Sequence, residues 1–100
     1  MIQEVDAIIN PASGNGRNRR VWPGVAGRLR ARGITVREHL TSAPGDATRL
    51  ARDLVLGGAR EILVAGGDGT LNEVVNGLFD DGRALAPDVV VSVVPRSEER

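Results

Sequence analysis

The run Ala65-Gly66-Gly67-Asp68-Gly69-Thr70 combines three glycines, a carboxylate and a hydroxyl in an order that suits phosphate chemistry. It follows Glu61-Ile62-Leu63-Val64, an apolar stretch that reads as a buried strand, and precedes Leu71–Leu78, a helical pattern. Where a parallel strand hands over to a helix, free N–H groups and the positive end of the helix dipole can hold phosphate. Glycine lets a ligand approach the backbone and admits positive φ, and Gly69 is a candidate for that conformation. Asp68 repels phosphate unless a cation lies between them. It therefore points to bound magnesium or to the positioning of a hydroxyl. The plainer alternative is a tight turn at Gly66, Gly67 and Gly69, with Asp68 capping the helix. The complete run in its strand–helix context favours nucleotide binding.

A second glycine-rich loop, Asn10-Pro11-Ala12-Ser13-Gly14-Asn15-Gly16-Arg17, follows another apolar run. In a parallel α/β sheet both loops open at the C-terminal edge of the strands, where they can face one ligand. Ser13, Asn10 and the backbone N–H groups around Gly14 and Gly16 can donate to phosphate, and Arg17 can pair with it. Taken alone, the loop can equally be a structural turn. Its G-x-G-x-x start places Arg19 where a dinucleotide fingerprint has glycine, with Glu38 near the position of a ribose-binding acid; the match is partial.

Composition removes other chemistries. All 13 basic residues are Arg. Without Lys there is neither a Walker A loop nor a protein-kinase fold, so phosphate contacts fall to Arg, backbone or metal. There is no Cys, hence no disulfide and no thiolate metal site. His39 is the only histidine, and with no orienting partner visible it reads as packed or solvated rather than as a base. The net charge is zero, which gives no sign of a nucleic-acid partner. It is unevenly spread: residues 1–40 hold seven Arg against three acids, residues 41–100 six against ten. The basic excess reads as a solvated helix face. No signal-peptide pattern and no apolar run long enough to cross a bilayer is visible, so a cytoplasmic protein is expected.

These loops require a frame. Four runs read as strands, Val5–Ile9, Ile34–Leu40, Glu61–Ala65 and Val89–Val94. Three segments between them read as helices, at about Arg19–Arg32, Gly45–Leu56 and Thr70–Phe79. Pro23 is tolerable only in the first turn of its helix. Gly33 and Gly57-Gly58 are stop signals. The order β-α-β-α-β-α-β predicts an α/β three-layer sandwich with a parallel four-stranded sheet. The last run is apolar enough to predict a strand covered on both faces, and Asp80–Pro87 reads as the loosest connection.

Three segments together carry a resemblance. They are Asn10-Pro11-x-Ser13-Gly14-x-Gly16-Arg17, Thr41 with Pro44-Gly45-Asp46-Ala47, and Gly66-Gly67-Asp68-Gly69-Thr70-Leu71-Asn72-Glu73-Val74-Val75-Asn76-Gly77. Over about residues 4–95 the chain resembles the diacylglycerol kinase catalytic domain, a family of diacylglycerol, sphingosine, ceramide and bacterial lipid kinases. The resemblance implies ATP-dependent phosphorylation of a lipid hydroxyl by a protein that works at a membrane surface. It implies that Asp68, Gly69 and Thr70 hold the nucleotide phosphates with Mg2+, and that Asn10, Arg17, Thr41 and Glu73 line the nucleotide site. From the residues alone, Thr41 could instead cap a helix. Glu73, in the first helical turn, could be a dipole partner or a capping-box residue. NAD kinases and phosphofructokinases share the Gly-Gly-Asp-Gly loop, but the first loop and the Asn72–Gly77 helix favour the lipid kinases.

The family pattern continues after the fourth strand with Gly-Thr-x-Asn-Asp, where this sequence has Val94-Pro95 and then Arg96-Ser97-Glu98-Glu99-Arg100. The expected organisation is a nucleotide-binding domain over 1–95 and a charged tail over 96–100. The family's second, β-rich domain, which supplies lipid-binding surface, is expected to be missing and the 100 residues alone to be inactive. A non-catalytic nucleotide-binding module, or a relic that binds nothing, is the alternative from another class.

Overall fold

The computed structural model describes residues 4–94; Pro95 and the expected tail over 96–100 lie outside the described residues. In chain order the elements are β1 (Glu4–Ile9), α1 (Arg17–Ala31), β2 (Thr35–Leu40), α2 (Asp46–Leu56), β3 (Glu61–Ala65), α3 (Asp68–Gly77), β4 (Phe79–Asp80), β5 (Arg83–Ala84) and β6 (Val90–Val93). β1, β2, β3 and β6 form one parallel sheet in the order β2-β1-β3-β6. The chain leaves β1 toward one edge, then returns past it to build β3 on the other side. The order therefore reverses between β1 and β3, which is where open α/β sheets leave a crevice for ligands.

Alternation along the central strands makes the three layers. Ala7, Ile9 and Ala65 pack with Trp22 and Ala26 of α1 on one face. Ile8, Ile62 and Val64 meet Ala47, Ala51 and Val55 of α2 and Val74 of α3 on the other. α2 and α3 cross closely at Gly77, where a Cβ would collide with the Thr48 carbonyl and lie 3.1 Å from Ala51 Cβ. The Arg52 guanidinium, on α2, donates to the carbonyls of Asn76, Gly77 and Phe79, satisfying groups that the end of α3 leaves open.

Several boundaries differ from expectation. α1 begins at Arg17, so Pro23 lies in its second turn on the exposed side, where its missing N–H leaves the Arg19 carbonyl without a helical donor. α3 begins at Asp68 rather than Thr70, because the glycine turn is complete at Gly67. The loosest connection contains a small antiparallel hairpin, β4–β5, turned by Asp81 (φ 51°) and Gly82 (φ 78°). Such a two-residue Asp-Gly turn suits hairpin twist. The last strand is not covered on both faces. β6 is an edge, and Val90 and Val93 are 48% and 45% exposed, because α1 and α3 pack over the sheet centre. An apolar run alone does not distinguish an edge strand from a central one.

Candidate functional site

The first turn of α3 opens at the fork between β1 and β3. Its N-cap, Gly67, is extended (φ −87°) and no side chain caps the helix. The N–H groups of Gly67, Asp68, Gly69 and Thr70 make no hydrogen bond to a described residue; the first one taken is that of Leu71, by the Gly67 carbonyl at 3.1 Å. Four donors and the positive dipole end are thus left open at this helix N-terminus. Asp68 and Gly69 are exposed, whereas Gly66 and Thr70 are buried. The glycines differ in purpose. A Cβ on Gly66 would lie 2.6 Å from Thr70 Oγ1, so this residue is small for packing reasons. A Cβ on Gly69 would meet nothing within 4 Å. Gly69 has no positive φ, contrary to expectation, because it already belongs to the right-handed helix.

The first loop lies alongside. Gly14, Asn15 and Gly16 take φ of 66°, 60° and 83° in succession, a left-handed path that glycine permits at two of the three positions. The path turns most of its N–H groups inward. Gly16 donates to the Ala12 carbonyl, Arg17 to Gly14, Asn18 to Ser13 and Arg19 to Gly16, at 3.1 to 3.3 Å. The N-terminus of α1 is therefore largely satisfied within its own loop, unlike that of α3. Asn10 is an anchor: its Oδ1 accepts the Ala12 N–H at 3.1 Å and its Nδ2 donates to Thr70 Oγ1 at 3.2 Å, tying the end of β1 to α3. Ser13 Oγ has no partner among the described residues and lies against Gly67, 3.4 Å from where a Cβ would sit.

A third loop, between β2 and α2, closes the arrangement. Asp46 Oδ2 accepts from the Ser42 N–H (2.8 Å), the Ser42 hydroxyl (3.0 Å) and the Ala43 N–H (3.1 Å). The Ser42 backbone bond, then that of its hydroxyl, hold the Asp46 carboxyl below its ordinary range. Glu73 Oε1 accepts the Gly45 N–H at 3.1 Å, and Thr48 Oγ1 donates to the Glu73 carbonyl at 2.8 Å. Glu73 lies in the second turn of α3, since that helix starts at Asp68; its side chain serves the N-terminus of α2 rather than its own helix. Thr41 does not cap a helix. Its N–H donates to the Ile9 carbonyl at 2.8 Å, prolonging the β1–β2 pairing.

Together the three loops border an open cleft of about 560 Å³. Of the residues singled out in the sequence, Asn10, Thr41, Thr70 and Glu73 line it. The glycine turn, Asp68 and Ser13 stand at the adjoining fork. Arg17 is exposed and does not line the cleft; Arg19, two residues on, does. Ser42, Pro44 and Asp46 carry the third loop. A signal for the last existed, an Asp four residues after a Ser at a helix start.

A separate polar cluster lies along β1 and β2. Asp6, 4% exposed, accepts from Arg37 Nε at 3.0 Å and lies 2.9 Å from His39 Nε2. Burial pushes its carboxyl up, but the hydrogen bonds and charges of Arg37 and His39 outweigh burial and hold it below the ordinary range. Asp6 in turn raises Arg37. His39 thus has a partner that the sequence did not reveal, because β1–β2 pairing supplies it from 33 residues away.

Comparison with known proteins gives the family and the fold. The model of the diacylglycerol kinase catalytic domain matches residues 4–96. The chain belongs to this family. YtlR of Bacillus subtilis is 40% identical over 91 residues, covering 88% of this chain and 28% of that protein. The Bacillus subtilis diacylglycerol kinase is 41% identical over 71 residues, 71% of this chain and 23% of that one. A crystal structure of a diacylglycerol kinase from Bacillus anthracis superposes with a TM-score of 0.73 at 28% identity, over 93% of this chain and 32% of the other. The chain thus spans about a quarter to a third of the length of these relatives. Among the described residues no helix is long and apolar enough to cross a membrane, and no three His, Cys, Asp or Glu are grouped to hold a metal ion.

Proposed function

We propose that this chain is the nucleotide-binding domain of an ATP-dependent lipid kinase, one that passes the γ-phosphate of ATP to a lipid hydroxyl. The observation that carries the reading is the uncapped first turn of α3, with four N–H groups that have no partner among the described residues and an open Gly69 beside the cleft. In this reading the turn cradles the phosphates, and the base and sugar lie along the cleft bordered by Thr41, Ser42 and Glu73. Arg19 pairs with phosphate from the cleft side, and Arg17 supplies charge at longer range. The two arginines lie in the first turn of α1, which holds no acid, so a bound anion would relieve their repulsion with the helix dipole.

The residues fit magnesium delivered with the nucleotide. Mg2+ is ordinarily held by one or two carboxylates together with substrate phosphates, and Asp68 is an exposed carboxylate at the mouth of the cradle. The ion supplies neutralisation of phosphate charge. Asp68 would hold it; the backbone donors orient the phosphates; Ser13 and Thr70 offer hydroxyls at the fork. Phosphoryl transfer depends mainly on such positioning and charge stabilisation.

The relatives' names, lipid kinase and diacylglycerol kinase, support a diacylglycerol-like lipid as substrate. A sphingoid lipid as the other candidate, the meeting with lipid at a membrane surface and a cytoplasmic, peripheral location belong to the same proposal. Residues 1–95 are then the nucleotide half, and lipid-binding surface belongs to a second domain of the kind the family carries. Calorimetric titration with ATP tests the first step. ATP is expected to bind in the presence of magnesium and weakly without it, and Asp68→Asn is expected to abolish the difference while melting as the wild type does. Magnesium-dependent binding that survives Asp68→Asn removes Asp68 from the site.

A further inference from the structure

The side chain of Asn18, the second residue of α1, reaches the point where the two central strands part. We propose that Asn18 is a positioning residue for the nucleotide site, an amide clamp that fixes the fork between β1 and β3. The inference rests on the nucleotide reading above. Asn18 is 2% exposed. Its Nδ2 donates to the Asn10 carbonyl at 2.9 Å and to the Ala65 carbonyl at 2.7 Å. Ala65 is the last residue of β3, and Asn10 directly follows β1. The Asn10 N–H donates to the same Ala65 carbonyl at 2.8 Å, the last bond between the two strands before they open into the glycine loops. One planar NH2 group therefore holds both strand ends at the point where they part. Its two N–H bonds diverge at a fixed angle, which sets the separation of the two carbonyls.

The acceptor end of the same amide shows why this side chain is not simply filler. Asn18 Oδ1 is buried with no partner among the described residues. A buried acceptor left bare is destabilising, whereas an apolar side chain of similar size would carry no such penalty. What the position uses is the pair of donors. Through Asn10 the clamp reaches Thr70, whose Oγ1 receives Asn10 Nδ2, and so reaches the first turn of α3. Asn18 does not line the cleft itself, and Asn10 is the one lining residue to which its side chain hydrogen-bonds among the described residues. Its effect on a ligand is through the spacing of the loops.

The test compares Asn18→Ala and Asn18→Ser, which keeps one donor, with Leu29→Ala. Leu29 packs against the same α1-side core but not at the fork. Two quantities are read well below each melting point: ATP affinity with magnesium by calorimetry, and amide exchange without nucleotide at Asn10 and at Gly66–Thr70. Removing a residue that orients a site commonly weakens it about ten- to a hundredfold. Asn18→Ala is expected to fall in that range, with Asn18→Ser between it and the wild type. Leu29→Ala is expected to lower the melting point yet change affinity by less than about twofold, as distant sites act independently. Exchange at the Asn10 N–H is expected to quicken in Asn18→Ala and not in Leu29→Ala. Wild-type affinity in Asn18→Ala, or an equal loss in Leu29→Ala, overturns the proposal. If the wild type binds no ATP, the nucleotide reading fails and exchange decides the clamp: unchanged Asn10 protection in Asn18→Ala refutes it. If Asn18→Ala does not fold, Asn18→Ser is judged by the same two quantities against Leu29→Ala.

Discussion

Two glycines of one motif separate folding from binding at the level of single residues. Gly66 is small because Thr70 fills the space beside it, so Gly66→Ala is expected to lose about 1–3 kcal/mol of stability. Gly69 faces open space in a helical conformation, so Gly69→Ala is expected to melt no lower than the wild type, and up to about 1 kcal/mol of gain is available from helix propensity. The same methyl group would narrow the phosphate cradle and weaken ATP. Thermal melts and titrations of both variants check this; a Gly69→Ala protein that melts lower but binds normally contradicts it. Arg19 and Arg17 make a similar pair. A charge-assisted hydrogen bond to phosphate contributes about 1.5–3 kcal/mol, so Arg19→Ala should weaken ATP tenfold or more, while Arg17→Ala, away from the cleft, should do less; the reverse order in titration would return the role to Arg17. The motif residues were legible in sequence because their types are unusual at a strand–helix junction. The choice between Arg17 and Arg19 was not, since it depends on where α1 starts and on which side of that helix the cleft lies. Glu73 and Asp46 were visible as acids, but the loop they brace is formed by partners that lie outside their own helices.

At the scale of elements, the positions of α2 and α3 relative to each other rest on Gly77 and Arg52. Gly77→Ala must push the helices apart, because the added carbon meets the Thr48 backbone, and a loss of about 1–3 kcal/mol is expected. Chemical denaturation would show this as a lower midpoint at unchanged slope; an unchanged midpoint would mean the crossing yields freely. β1 and β2 are joined by the Asp6 cluster, and this gives stability a pH dependence. The folded-state pKa of Asp6 lies below its unfolded value, so its contribution is complete above the ordinary aspartate range near 3.8 and disappears as pH falls through the lower folded value. Asp46 acts in the same direction. Asp6→Asn should therefore lower stability at neutral pH and flatten the acid limb below about pH 4; melting curves from pH 7 to pH 2 that stay parallel to the wild type would contradict it. Element order and type followed from apolar periodicity. The β4–β5 hairpin escaped because two-residue strands carry no period, although Asp81-Gly82 marked its turn. The exposure of β6 escaped because apolar content does not report sheet order.

For the whole molecule, the sheet order brings three loops from three separate parts of the sequence to one edge, and this makes the candidate site a property of the fold. That convergence was foreseeable from β-α-β alternation, whereas the cleft between the loops was not. The opposite end of the sheet also holds a cavity, of about 300 Å³, lined by Glu4, Asp6, Arg37 and Asp53. Its acids and the buried Asp6 carboxylate make it a poor host for a triphosphate. The 100 residues assayed alone are expected to bind ATP without phosphorylating lipid, because in the proposed function the open cleft takes the nucleotide and the lipid-binding surface belongs to a second domain. Turnover of diacylglycerol in mixed micelles that depends on Asp68 would contradict this. The most direct measurement of the central claim is a map of backbone amide shifts on addition of ATP and magnesium. Shifts are predicted at Gly67–Thr70, with smaller ones at Thr41, Ser42 and Arg19, while Arg37, His39 and Gly58 stay in place. Shifts confined to the Asp6 end of the sheet, or none at Gly67–Thr70 at saturating ATP, would contradict the account.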